Sequence, residues 1–178
     1  MIDDVPLIQS ARLDIVPLRI ADAALVYDDA KAPALYRYLQ QRPPASLADL
    51  EALFARWTSG SPDERLRWLN WTPVERSTKE RIGLLQATID VAARSATIGY
   101  SIFTRFQGRR FAGEAASAML ARLKAGGGVD RAIAEISEPN TFSRAVVESL
   151  GFAQTGRIAG TGREDGRICD DVVYTRSL

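Results

Sequence analysis

The chain has 178 residues, 23 of them basic and 22 acidic, for a net charge of +1, with one cysteine and no histidine. A length in this range suits one domain that buries about 70% of its unfolded surface without a disulfide or metal staple, and the balanced charge gives no electrostatic case for nucleic acid or an anionic membrane. The missing histidine removes Ser-His-Asp and Cys-His nucleophile activation together with the commonest metal ligand, and a lone Cys169 removes an internal disulfide and makes a structural zinc site untenable.

No apolar run approaches the roughly 20 residues of a membrane span, and Met1-Ile2-Asp3-Asp4 is acidic where a secretory signal is basic. The expectation is a soluble, cytoplasmic protein of one domain, residues 1–178, without a membrane or nucleic-acid partner. In chain order, residues 11–18 alternate Leu13 and Ile15 against Arg12 and Asp14 as a half-buried strand, with Pro17 placing it near an edge or bulge. Residues 20–30 and 34–40 read as short helices interrupted by Pro33 and ended before Pro43-Pro44. Ser46 then caps a helix whose apolar face is Leu50, Leu53, Phe54 and Trp57. Strands at 66–74, 82–89 and 96–103 are separated by gaps too short for anything but an antiparallel meander. Residues 111–124 form a helix with Ala112, Ala115, Ala116, Met119 and Leu123 on one face, stopped by Gly126-Gly127-Gly128. A strand at 131–136, a helix at 141–150 capped by Asn140 and stopped by Gly151, and strands at 152–159 and 168–176 complete the chain. The strand-helix-strand step around 111–124 must set two strands parallel, with a right-handed crossover.

Two patches carry the chemistry. The first, Gln107-Gly108-Arg109-Arg110-Phe111-Ala112-Gly113-Glu114-Ala115, is a loop running straight into a helix, so its free backbone N–H groups and the positive helix end converge as they would on a pyrophosphate. The second is Asn140-Thr141-Phe142-Ser143, followed by Leu150-Gly151-Phe152.

With these motifs on that element order, the chain resembles the GNAT superfamily of acyl-CoA-dependent N-acetyltransferases, and within it the branch of ribosomal-protein alanine N-acetyltransferases. Arg12-Leu13-Asp14-Ile15-Val16-Pro17-Leu18 with Asp22-Ala23 matches that branch's first strand and helix start, and Ile82-Gly83 and Ile98-Gly99-Tyr100 match its third and fourth strands. The spacing from Asn140 to Phe152 completes its Asn-x-x-Ser-x-x-Val-x-x-x-Leu-Gly-Phe pattern. The resemblance implies an α+β, three-layer α/β/α fold around a mixed, mostly antiparallel sheet of about seven strands that splays between its fourth and fifth. It implies that acetyl-CoA is the co-substrate, with no metal, and that its pantetheine arm bonds to exposed strand backbone at Ile102, Phe103 and Thr104. The pyrophosphate would be wrapped by the backbone of Gln107, Gly108, Arg109, Arg110, Phe111, Ala112 and Gly113. Arg110 stands where the family usually has a second loop glycine. Either the backbone there is left-handed and strained by about 1 kcal/mol or more, or φ is negative and the guanidinium, with Arg109, joins the phosphate contacts; the second reading is preferred.

Acyl transfer to an amine needs an uncharged amine, an oxyanion donor and an acid for the departing thiolate. The resemblance offers a backbone N–H near Ile102 or Phe103 as donor, Ser143 beside the sulfur as acid, and Asn140 as a pantetheine contact; the plain alternative for both side chains is a helix cap and first turn. Relatives often carry a carboxylate where this chain has Thr97 or Gly162, which leaves Glu135 and Asp170 as bases acting through water. An α-amine with a pKa near 7.7 to 8.0 is already about a fifth neutral at pH 7.2, whereas a lysine amine must lose its proton at a cost of about 4 kcal/mol, so weak base machinery favours a protein N-terminus or another low-pKa small-molecule amine. Trp57, Trp68, Trp71, Tyr36 and Tyr38 fall where such enzymes shape the acceptor pocket, with core packing as the plainer role. Cys169 reads as a packed thiol. The competing expectations are a GNAT-like module that binds acyl-CoA without turnover and an acyltransferase using a different acyl donor; a homodimer is left open.

Overall fold

The computed structural model describes residues 5–126 and 128–178, so the N-terminal Met1-Ile2-Asp3-Asp4 reading and the Gly127 part of the helix stop lie outside the described residues. Among those described, β1 (Ile8–Gln9), β2 (Leu13–Pro17), β3 (Leu66–Glu75), β4 (Gly83–Asp90), β5 (Ser95–Ile102), β6 (Arg131–Ser137), β7 (Ala153–Glu164) and β8 (Arg167–Ser177) form one sheet in the order β1-β2-β3-β4-β5-β6-β8-β7. Four α-helices join them: α1 (Asp22–Ala30), α2 (Leu47–Thr58), α3 (Phe111–Ala125) and α4 (Thr141–Ser149). The eighth strand is the two-residue β1, too short to announce itself by alternation; it pairs only with Asp14 and Ile15, which leaves Pro17 beyond its reach and at a free edge.

Every pair is antiparallel except β5 with β6, the parallel step joined through α3. That pair is brief. Its register ends at Thr97↔Ile133, although β5 runs on to Ile102 and β6 to Ser137, so the two strands part and leave a gap in the sheet.

Residues directly opposite across a pair share a face, so the registers sort the side chains. One face carries Leu13, Ile15, Trp71, Leu85, Ile98, Tyr100 and Ile102, continued on the far strands by Ala134, Ile136, Val172 and Tyr174. Tyr174 accepts a hydrogen bond from Arg144 (3.0 Å) and donates one to Glu148 (2.6 Å), which places α4 on this face. The other face carries Leu84, Gln86, Gly99 and Ser101, and beyond the gap Glu135, Ser137 and Asp171. Asn70, on that side, donates to the Trp57 carbonyl at 2.9 Å and so seats α2 there. The continuous apolar core includes Phe54, Trp71, Phe103, Phe111, Met119 and Tyr174, all buried.

Two local details extend the sequence reading. Ser46 accepts the Asp49 N–H at 3.1 Å and starts α2 as a side-chain cap should. The final hairpin runs further than 152–159 and 168–176, because Asp165 (φ +48°) and Gly166 (φ +79°) make a two-residue turn with both backbones left-handed, the geometry that suits twisted hairpins.

Candidate active site

The site forms where the sheet opens. A cavity of about 520 Å³ passes through the gap: on the α2 side it is lined by Tyr36, Tyr38, Trp57, Glu135 and Asp171, and it reaches Tyr100, Asn140 and Ser143 on the other. The aromatic residues divide. Trp57 stacks on Phe54 at 5.8 Å and faces the cavity with Tyr36 and Tyr38, while Trp71 is a core residue whose indole N–H donates to Pro6 at 2.8 Å, and Trp68 lines a separate groove.

Strand backbone borders the gap in a way that amends the expectation. Phe103 donates its N–H to Ile82 at 2.9 Å, so by antiparallel alternation the odd residues of β5 bond to β4, and Tyr100 and Ile102 turn their backbone groups toward the gap. Phe103 is therefore not the oxyanion donor; the Ile102 N–H is the group so oriented. Thr104 is not strand at all: it opens a 3-10 turn (Thr104–Phe106) and its carbonyl accepts Gln107 N–H at 3.2 Å. The exposed strand backbone thus lies at Tyr100 and Ile102 rather than at Phe103 and Thr104, and the Ile102 carbonyl is taken by the Gln107 side chain at 2.8 Å.

The loop before α3 keeps its donors open. Gln107 spends its N–H on the turn, which removes it from the expected set. Among the described residues nothing accepts the N–H groups of Gly108, Arg109, Arg110, Phe111, Ala112 or Gly113, and intrahelical bonding starts with Glu114 N–H to the Arg110 carbonyl at 3.3 Å. A run of open donors at a helix N-terminus is an anion cradle. Space matches it, since a Cβ on Gly108 or Gly113 would meet nothing within 4 Å.

Arg110 reverses the preferred reading: its φ is +63° and ψ +17°, in the left-handed region. Its exposed guanidinium has no partner among the described residues, but Arg109 is committed elsewhere. Arg109 pairs with buried Glu75 and lies 4.7 Å over the Phe111 ring, so it braces the loop instead of facing the cradle. Burial by itself would raise the Glu75 pKa, but hydrogen bonds from Arg109 and Thr78 outweigh it and hold the carboxyl below its ordinary 4.5.

Arg12 and Glu114 are supports that the sequence reading missed. Arg12 lies 4.3 Å over Phe111, donates to the Arg109 carbonyl at 3.1 Å and pairs with Glu114 at 2.7 Å; Glu114 also accepts from Ser10 at 2.7 Å.

On α4, Asn140 caps the helix by accepting Ser143 N–H at 3.2 Å and also lines the cavity, so the structural role holds and the side-chain amide N–H₂ remains available. Ser143 Oγ lies 2.9 Å from the Tyr100 hydroxyl, which donates to the Ser143 carbonyl at 3.0 Å. Burial raises the Tyr100 pKa above its ordinary 10.0, against a smaller opposing effect of Ser143, so the phenol stays neutral. Tyr100 was legible only as a motif residue; alternation with buried Ile98 and Ile102 is the signal that turns it to α4.

The two candidate bases part company. Glu135 lines the cavity. Asp170 does not: it points to the opposite face, bonded to Gly160 N–H (3.1 Å) and Arg157 (3.1 Å), and those contacts lower its pKa from 3.8. That rules out Asp170 as the base and brings its neighbour Asp171 to the cavity instead. Cys169 is partly buried, and burial with the nearby Asp171 charge pushes its thiol pKa up, as for an unreactive thiol. Among the described residues no group of three potential ligands could hold a metal, and no helix is long and apolar enough to cross a membrane.

Residues 12–153 match the acetyltransferase (GNAT) domain family. The chain belongs to this family. Its members' enzyme class is acyl-CoA-dependent N-acyltransferase, and the fold is theirs. No curated protein matches the sequence. Among solved structures, a Salmonella typhimurium acetyl transferase described as modifying the N-terminal serine of ribosomal protein L7/L12 is 18% identical over 97% of this chain and 99% of its own, with a TM-score of 0.84. RimJ of Mycobacterium smegmatis, solved with CoA-disulfide, is 21% identical over 97% of this chain and 88% of its own, with a TM-score of 0.84. The microcin C7 self-immunity acetyltransferase MccE, solved with acetyl-CoA and AMP, is 18% identical over 98% and 100%, with a TM-score of 0.80. Similarity at these identities is similarity of fold.

Proposed function

We propose that this chain, acting as one cytoplasmic domain, transfers an acetyl group from acetyl-CoA to a primary amine, either a protein N-terminus or a small molecule, by direct attack on the thioester. The observation that carries the reading is the gap between β5 and β6: Ser143 and Asn140 line it from the α4 side, carboxylates face it from the α2 side, and the open donors at residues 108–113 follow one short turn after the end of β5. A thioester lying through the gap would meet its amine from one side and lose its thiolate toward the other.

In this reading the cradle from Gly108 to Gly113 holds the diphosphate with backbone N–H groups and the positive end of α3. Ile102 N–H stabilises the thioester oxyanion, and Asn140 bonds to the pantetheine arm. Ser143 Oγ–H protonates the departing sulfur, and the Tyr100 hydroxyl, 2.9 Å away, turns its one proton from the Ser143 carbonyl to the resulting alkoxide. Glu135, at the mouth, lies on the route by which the amine's proton leaves through water. Tyr36, Tyr38 and Trp57 form the aromatic acceptor wall. The named acceptor of the Salmonella structural neighbour, a protein N-terminal serine, is one member of the amine class proposed here.

The test combines a thermal shift with turnover. Acetyl-CoA at millimolar concentration should raise Tm by mass action, and thiol release should follow on adding amines. Ser143→Ala should lower kcat by about 100-fold while leaving the acetyl-CoA shift unchanged. A shift without thiol release from any amine would make the chain a binding module; no shift would remove the donor site.

A further inference from the structure

We propose that Asp171 is the carboxylate that contacts the acceptor amine and takes its proton, an assignment that rests on the acetyltransferase reading above and completes its acceptor half.

Four observations meet on this side chain. The β6–β8 register sets Asp171 opposite Ser137, on the face that also carries Glu135 and looks toward α2, whereas Asp170 faces the other way. Asp171 lines the cavity alongside Tyr38 and Glu135. Its Oδ1 lies 3.1 Å from the Ser137 hydroxyl, which accepts Arg163 N–H at 3.1 Å and has the Tyr38 carbonyl at 3.3 Å as its other acceptor; of the two, the carboxylate is the nearer and the charged one. Its Oδ2 accepts no hydrogen bond among the described residues, and Asp171 is in no ion pair there.

The fourth observation is the space. A Cβ on Gly162 would lie 2.7 Å from Asp171 Oδ1, 2.7 Å from the Asp170 carbonyl and 2.9 Å from Cys169 Sγ. Any side chain at position 162 would claim the volume that the Asp171 carboxylate occupies. Opposite Asp170 and Asp171, the register of β7 shifts between Ile158 and Gly162, and this bulge brings Thr161 to the cavity and the bare glycine over the carboxylate. Fold and composition together thus reserve one place on the α2 side of the gap for an oriented, half-satisfied carboxylate, which is what an incoming ammonium requires.

The protons balance. The ammonium gives one proton to Asp171, which passes it through water past Glu135 to solvent. The freed amine forms the C–N bond as the C–S bond breaks, the sulfur takes the Ser143 proton, and Ser143 recovers one from the nitrogen through water. Each turnover yields the amide, free thiol and one proton to solvent.

Asp171→Asn keeps the shape and can still accept from Ser137, so it tests charge and basicity alone. Thiol release from acetyl-CoA is measured with Ser- and Ala-initiated tetrapeptides, benzylamine and glycinamide. The variant should lose about 100-fold in kcat/KM for whichever of these the wild type uses, with its acetyl-CoA thermal shift intact. A kcat/KM within threefold of wild type overturns the assignment while leaving the enzyme reading standing. Thiol release by the wild type from none of the four overturns both. If Asp171→Asn shows no cooperative melt, Ser137→Ala decides: a loss of about threefold to tenfold with normal coenzyme binding supports the role, and an unchanged rate overturns it.

Discussion

Arg110 sits at φ +63° immediately before α3, where a residue with a Cβ costs about 1 kcal/mol or more relative to glycine. Against this, glycine brings extra freedom to the unfolded chain, worth about 0.4–1 kcal/mol. The two nearly offset, so Arg110→Gly should leave stability unchanged or raise it by up to about 1 kcal/mol, read from urea denaturation midpoints at equal slope. The same variant separates backbone from charge. Its N–H groups still face the cradle, but the exposed guanidinium is gone, so coenzyme A affinity should fall several-fold at low ionic strength and the deficit should shrink at 0.5 M salt. A variant that is clearly less stable would mean that the left-handed backbone carries no strain here; unchanged affinity at low salt would place the guanidinium outside the site. The sign of φ was not legible, because the backbone conformation of a non-glycine loop residue is decided by the element it leads into, here a helix start braced by Arg12 and Arg109 over Phe111. Which β8 aspartate faces the cavity was hidden for a different reason: Val172 and Val173 are both apolar, so alternation gives no phase to the Asp170-Asp171 pair beside them.

The α3 element is aimed by its first turn. Glu114 accepts hydrogen bonds from Ser10 Oγ, Arg12 N–H and Arg12 Nε, each at 2.7 Å, and so ties the helix start to the chain entering β2. Burial opposes its ionisation, but those three donors outweigh it and lower its pKa from 4.5. A carboxyl whose folded pKa is depressed adds stability above its unfolded pKa and loses it as pH falls through the folded value. The clamp is therefore fully present at neutral pH and weakens progressively below about pH 4.5. Glu114→Gln should cost about 2 kcal/mol at pH 7, as expected for hydrogen bonds to a charged group, and the difference from wild type should narrow on acidification through that range. Equal midpoints for the two proteins at pH 7 would show that the clamp is not part of the stability. Elements with a local cause were readable in sequence: the Ser46 cap, the Gly151 stop at φ +81°, the meander forced by short gaps. The Asp165-Gly166 turn was not read: Asp-Gly signals a two-residue hairpin only between alternating strands, and the glycine-rich bulge between Ile158 and Gly162 masks that alternation. The Glu114 clamp spans |i−j| of 102 to 104 residues, and no local pattern reports a contact so distant.

At the scale of the molecule, among the described residues β5 and β6 pair along their backbones only at Ser95, Ala96 and Thr97, with α3 crossing from one half of the sheet to the other. That the two motif patches belong to one site was legible, because a parallel step with a helical crossover must bring the ends of its two strands side by side. What the gap contains was not, since its walls come from elements spread along the chain from α1 to β8. A ligand seated there would touch both halves, and that can be measured directly. The N–H groups of Tyr100 and Ile102 face the gap and those of Gly108 through Gly113 are open, so in the free protein they should exchange with solvent far faster than their neighbours bonded across β4. Saturating acetyl-CoA should slow exchange in both segments together, while residues 153–158 of the edge strand, which do not line the cavity, gain no local protection. At 100 times Kd the ligand adds about 2.7 kcal/mol to global stability, so exchange that requires whole-molecule unfolding should slow by about 100-fold everywhere, and the local effect must be read from the fast-exchanging amides of the two segments. Protection confined to residues 108–113 would mean that a phosphate-bearing ligand binds the cradle without threading the sheet, and the gap would then not be where the acyl group lies. Protection of both, lost at Tyr100 and Ile102 but not at the loop when coenzyme A is replaced by 3′,5′-adenosine diphosphate, would separate the pantetheine arm from the nucleotide and fix the direction in which the donor crosses the sheet.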